Sequence, residues 1–205
     1  MVVKRNPDQT RERILQAAFE EIYRNGFRSA SVDQILTDTG LTKGALYHHF
    51  PNKAALGYAV VDEVIRQKID QIWIRPIDRA EDPLEGLRNS FEAVPPEEME
   101  MVCTMGCPLN NLAQEMSPID EEFRRRIAAV YKAWHTGIAS PLKKGMDAGY
   151  VRKDLDCDQA ATFLIATLEG AAGLAKNAQD PQVLRACMKG ILQYVESMRP
   201  VAVPA

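Results

Sequence analysis

Apolar residues in this chain recur at helical spacing almost from end to end, with no convincing alternating strand, so the pattern predicts an all-α protein. Ile14, Leu15, Ala18, Phe19 and Ile22 form one stripe, closed by the stop Asn25-Gly26-Phe27. Val32, Ile35 and Leu36 give a short second helix its inner face; Ser31 stands as N-cap, Gln34 completes a capping box, and Gly40 ends the helix. Thr42 caps a third helix of about two turns that Pro51 terminates. Asn52 starts a longer one to about Ile74, with a stripe at Val61, Ile65, Ile69 and Ile72 and an end at Pro76. Further helices read at 83–93, 107–116, 119–147, 157–178 and 181–198, while Pro95-Pro96 and the acidic run after it predict a loop or short irregular helix.

The third helix carries the most specific chemistry. At 100° per residue, Lys43, Gly44, Tyr47 and His48 share one face, and Ala45, Leu46 and Phe50 point the other way. His49 turns toward the inner side, although the last turn before Pro51 can swing it outward. Two short helices joined through Gly40 and Leu41, the second with a cationic, aromatic and hydrogen-bonding face, follow the grammar of a helix-turn-helix that reads nucleic acid. Gly44 disfavours so short a helix by roughly 1 kcal/mol against Ala, which calls for a reason such as close approach of a phosphate. Asn52 and Lys53 place a cation and free backbone N–H groups at the next helix start, a ready anion site. Adjacent histidines diverge by 100° and no Cys or carboxylate lies at ligand spacing, so no metal site is expected.

The run T-K-G-A-L-Y-H-H-F-P-N-K-A-A-L, from Thr42 to Leu56, resembles the signature of tetracycline-repressor-type (TetR family) transcription regulators. The resemblance implies about nine helices: a three-helix DNA-binding domain at 1–53, a larger ligand-binding and dimerisation domain at 54–199, and a mobile Pro-rich tail at 200–205. It also implies that Arg28, Ser31, Thr42, Lys43, Gly44, Tyr47, His48, His49 and Lys53 contact operator DNA, and that the helix beginning at Asn52 transmits ligand binding to the DNA heads.

Composition narrows the class. The 205 residues are 46% hydrophobic, enough for a substantial core. No run of 18 apolar residues occurs, and MVVKRNPDQTRERIL lacks a signal-peptide hydrophobic region, so a cytoplasmic protein without a membrane partner is expected. Net charge is −3, but residues 1–53 carry eight Lys/Arg against six Asp/Glu and the remainder seventeen against twenty-two. The asymmetry favours local phosphate contacts over a broad positive field. Cys103, Cys107, Cys157 and Cys187 show no C-x-x-C pair and read as small buried hydrophobes.

Two later segments bear on partners. Helix 157–178 is apolar almost all round and rich in small residues, including Ala166, Gly170, Ala171 and Gly173. With 181–198 it is expected to form a two-fold homodimer seam, as the family resemblance implies. The segment Gly106 to Met116, G-C-P-L-N-N-L-A-Q-E-M, resembles a motif of one branch of that family, which includes regulators answering reactive electrophiles or small unsaturated acids. Cys107, Asn111 and Glu115 fall on one helical face; Pro108 suits the first helical position and makes Cys107 the N-cap, where the helix dipole favours thiolate. With Tyr131, Trp134 and Phe163 as walls, these three are the candidate ligand site; alternatively Asn111 and Glu115 satisfy backbone groups in a bend and Cys107 is inert. The expectation is a homodimeric repressor that binds a palindromic operator and is released by a small-molecule or electrophile inducer, with no cofactor. The rival readings are a DNA-organising relative without an inducer and an enzyme built on a Cys107–His135 pair; no phosphate loop, Ser-His-Asp arrangement or cofactor fingerprint supports the latter.

Overall fold

The computed structural model describes residues 7–200, all helical or connecting, with no strand among them. The expected tail at 200–205 lies, apart from Pro200, outside the described residues. The elements are α1 (Pro7–Asn25), α2 (Val32–Thr39), α3 (Lys43–His49), a composite α4 (residues 53–79), α5 (Pro83–Glu92), α6 (Pro96–Met105), α7 (Pro108–Met116), α8 (Glu121–Ala148), α9 (Cys157–Ala178) and α10 (Pro181–Glu196). The all-α expectation is borne out, with an N-terminal helix-turn-helix and a larger helical remainder. None of the described helices is long and apolar enough to cross a membrane.

The chain divides into two compact units. Among the described residues, the first takes those up to Gln67 together with Pro108–Val130, and the second takes Lys68–Cys107 and those from Tyr131 on.

In the first unit the stripe Ile14, Leu15, Ala18, Phe19 and Ile22 is buried, as its period requires. Gly26 closes α1 at φ +78°, with its N–H donating to the Ile22 carbonyl. Phe27 packs edge-on against Phe123 with ring centroids 4.6 Å apart, and Tyr58 lies 4.8 Å from the same ring. Gly57 leaves room for the Phe27–Phe123 pair, since a Cβ there would fall 2.4 Å from the Phe27 ring and 2.7 Å from Phe123.

Two local expectations fail here. Pro76 does not end α4, because the helix widens into π-turns at Val60–Ile65 and Asp70–Ile74. The Arg75 N–H reaches five residues back to the Asp70 carbonyl, and the backbone continues through Pro76 to Arg79. Likewise the stretch after Pro95 is neither loop nor irregular: Pro96 is the first residue of α6, where a missing N–H is tolerated, and Glu97 and Glu98 favour the helix start.

In the second unit α9 packs on α10 and α6. Cys103 is buried there beside Ala171, Ala175 and Leu184, and burial pushes its thiol pKa up. Arg199 ties the end of α10 to the start of α5 through Asp82 at 2.7 Å and Glu85 at 2.6 Å.

Candidate nucleic-acid interface and a buried polar cluster

Three N-caps read from the sequence are made. Ser31 Oγ accepts from the Gln34 N–H, Thr42 Oγ1 from the Ala45 N–H and Asn52 Oδ1 from the Ala55 N–H. The capping box, however, is not closed by Gln34, whose side chain turns to Asp38. The Ser31 N–H donates instead to Glu21 Oε1 at 2.9 Å, from a residue that is 4% exposed on α1. A carboxylate from the supporting helix thereby sets the start of α2, and α2 with its turn sets α3.

On α3, Lys43, Gly44, Tyr47 and His48 are exposed, His49 is half-buried, and Leu46 is fully buried beneath them. Lys43 meets only Asp33 at 3.5 Å, both side chains being well exposed, so the pairing contributes little. Tyr47 is 41% exposed, unusual for a large aromatic ring with no internal work to do. An added Cβ at Gly44 would meet nothing within 4 Å, so the fold itself gives no reason for glycine there. Ser31, Thr42 and Arg28 are exposed on the same unit. Lys53 is less free than the sequence suggests: its Nζ donates to the Arg28 carbonyl at 3.0 Å and lies 5.0 Å from the Phe27 ring centroid.

The six expected ligand residues are shared between the two units. Asn111 and Glu115 belong to the first unit, whereas Cys107, Tyr131, Trp134 and Phe163 belong to the second. Glu115 is a structural acceptor: its two carboxylate oxygens take the N–H groups of Phe27 and Arg28, each at 2.8 Å, and pack against Gly26. Phe163 is 49% exposed and meets Tyr194 edge-on at 4.7 Å on the outer side of α9 and α10, so it is not a buried wall. The physical reason is phase, since six residues of helix turn Phe163 about 120° from Glu169.

What the second unit does assemble is a buried polar cluster. Cys107, which immediately precedes α7, donates its thiol to Glu169 Oε1 at 3.3 Å. Glu169 is 9% exposed on α9, and burial pushes its carboxyl up to about 7 against the opposing pull of Cys107 and Tyr131. Burial, then the charge of Glu169, pushes the Tyr131 hydroxyl up in turn. The Tyr131 ring stacks on Trp134 at 6.5 Å, and Trp134 stacks on Trp73 at 5.9 Å. Two polar atoms of this cluster, Glu169 Oε2 and Trp134 Nε1, are buried without a hydrogen-bond partner of good geometry. Glu169 escaped the sequence reading, although a signal was present: it is the one ionisable residue in the apolar run from Ala160 to Ala175. The Cys107–His135 pair of the enzymatic alternative is not formed, because the thiol meets Glu169 and His135 Nε2 shares a hydrogen bond with the Asp158 carbonyl at 3.1 Å.

An exposed helix face of this kind, held by a helix-turn-helix on an all-helical chain, defines a DNA-binding regulator. Residues 14–60 match the family described as bacterial regulatory proteins, tetR family, and residues 83–191 match the tetracyclin repressor-like C-terminal domain. A helix-turn-helix-type transcriptional regulator encoded in the lacX 3′ region of Lactococcus lactis subsp. lactis is 30% identical over 87% of this chain and 89% of its own length. The transcriptional repressor DhaR of Mycobacterium sp. strain GP1 is 27% identical over 78% of this chain and 79% of its own. The crystal structure of a regulatory protein TetR from Rhodobacter sphaeroides, 26% identical, superposes with a TM-score of 0.78 over 89% of this chain and 97% of that one. The protein belongs to the TetR family of transcriptional regulators.

Proposed function

We propose that this protein is a ligand-responsive repressor that binds a palindromic operator as a homodimer and is released by a small molecule held in its second unit. The observation that carries the DNA-reading part is the α3 face, where Lys43, Gly44, Tyr47 and His48 are exposed and the fold makes almost no use of them. DhaR, which carries the name of repressor, supports the sign of regulation. An exposed apolar stripe on α9 supports the dimer: Phe163, Ala166, Gly170, Gly173 and Leu174 face outward, and Gly170 and Gly173 have open space where a Cβ would stand.

For Cys107, a place in the ligand cluster fits better than resting thiolate chemistry. Its thiol donates a hydrogen bond to the Glu169 carboxylate, an arrangement that favours the protonated thiol. Electrophile sensing, which the resemblance to that branch suggests, is separated by treating wild type and Cys107→Ser with a maleimide and measuring release from DNA; release confined to wild type would restore it.

Selection of bound sequences from random duplex DNA by the purified protein tests the proposal. The expected outcome is an inverted repeat whose half-sites lie about 34 Å apart, one recognition helix per major groove. Recovery of a single unrepeated site, or of no sequence, would overturn the reading. Gly170→Arg should convert the protein to a monomer in sedimentation, because it sets an unpaired charge and excess volume on the seam; an intact dimer would move the interface elsewhere.

A further inference from the structure

The buried cluster has hydrogen-bonding capacity that the fold does not spend. A carboxylate buried to this degree is costly unless it is paired, and native proteins ordinarily supply a lysine, an arginine or backbone donors. Glu169 takes the Cys107 thiol on Oε1, and its carboxyl is stabilised by hydrogen bonding to that thiol and to the Tyr131 hydroxyl; no cationic side chain is among the groups acting on its charge. Oε2 is buried and unpartnered. The indole N–H of Trp134, 2% exposed, is unpartnered as well, and Tyr131 joins the two by stacking on Trp134 while acting on the Glu169 carboxyl.

We infer that Glu169 is the anchor of the inducer site and that the inducer is a small organic cation, an ammonium or amidinium carried on an apolar body. The cation donates to Oε2 and supplies the counter-charge that the fold omits. Its apolar body lies beside the stack of Tyr131, Trp134 and Trp73, where an aromatic face not already covered by a neighbouring ring favours a cation in addition to apolar contact. An acceptor on the ligand can take the Trp134 N–H. Small carboxylic acids, one of the ligand classes that the resemblance of the Gly106 to Met116 motif suggests, fit this chemistry poorly when ionised, because they would bring a second negative charge beside Glu169 with no cation between them. The inference rests on the ligand-responsive reading proposed above and names the class of ligand.

The experiment uses the fact that the chain has two tryptophans, Trp73 and Trp134, both in this cluster, so that intrinsic emission reports it alone. Full-length protein is titrated with 2-phenylethylammonium and benzamidinium, with neutral 2-phenylethanol and with phenylacetate. The cations should produce a saturable change, and phenylacetate should bind about tenfold or more weakly. Glu169→Gln, which keeps shape and removes the charge, should weaken cation binding by about tenfold or more and level the ranking of the probes. Should that variant fail to fold, wild type alone decides. Cation affinity should fall about tenfold from pH 8 to pH 6 as the carboxyl takes a proton near 7, while 2-phenylethanol binding stays flat. A cation affinity unmoved by Glu169→Gln or by pH, phenylacetate bound as tightly as the cations, or cations that leave the emission unchanged would each overturn the assignment. Measuring release from the selected operator with the same probes keeps the two readings apart. Release by phenylacetate or 2-phenylethanol alone would leave a ligand-responsive repressor standing and sink the cation class. Cation binding through Glu169 without release would keep the site and remove its part in regulation.

Discussion

Glu115 and Glu169 are the same side chain in two regions of one molecule, and they differ in what is left over. Glu115 takes two backbone N–H groups at the turn between α1 and α2, each at 2.8 Å, so its capacity is used inside the fold. Glu169 takes one thiol, with the Tyr131 hydroxyl also hydrogen-bonding to its carboxyl, and keeps Oε2 without a partner, in surroundings that push its carboxyl up to about 7. A carboxylate whose lone pairs are satisfied by backbone is part of the architecture. One buried with capacity to spare is an unfinished interaction, and that difference is why Glu115 reads as support for the turn between α1 and α2 while Glu169 is the anchor we infer for a ligand.

The sharpest way to break this comparison is to remove the two carboxylates separately. Glu115→Ala strips the charged acceptor from the Phe27 and Arg28 N–H groups and should lower stability in urea unfolding by about 3 kcal/mol, with Glu115→Gln losing less. A loss under about 1 kcal/mol would show that water replaces Glu115 there. Glu169 should behave in the opposite sense. Its folded-state value is raised from 4.5 to about 7, so the stability it contributes is full below about pH 4.5 and is lost as pH rises through 7, on the order of 3 kcal/mol. Glu169→Gln should abolish that part of the pH dependence and be at least as stable as wild type at pH 8. Unfolding curves of the two proteins between pH 5 and pH 8 that run parallel would contradict the buried, unpaired state of Glu169.

The exposed face of α3 gives the next effects in size. Lys43→Ala and Tyr47→Ala should each weaken operator binding by roughly 1–3 kcal/mol while leaving thermal stability nearly unchanged, since neither side chain works inside the fold. The smallest effect is the most diagnostic. Gly44→Ala should stabilise the protein by up to about 1 kcal/mol, because the helix gains propensity and the added Cβ meets nothing within 4 Å, yet weaken the operator complex. Tighter or unchanged operator binding by this variant would mean that no backbone approach explains the glycine.

Much of the helix-turn-helix was legible because its determinants are local. Ser31, Thr42 and Asn52 cap helices through N–H groups three residues away, and the 100° step of α3 fixes which residues Leu46 buries and which it leaves out. The same local rules misread Pro76 and the stretch after Pro95. A Pro ends a helix only if the turn before it cannot widen, and at the first helical position it is no obstacle at all.

By itself, then, the sequence determined the all-helical class, the caps and the face of α3, each a matter of neighbours within one or two turns. Only the tertiary structure decided the fates of the carboxylates. Glu21 reaches Ser31 across 10 residues, Glu115 reaches Phe27 across 88, and Cys107 meets Glu169 across 62. Whether a carboxylate ends up paired with backbone or buried with a lone pair unspent depends on which distant donors the packing delivers to it, and no periodicity along the chain encodes that delivery.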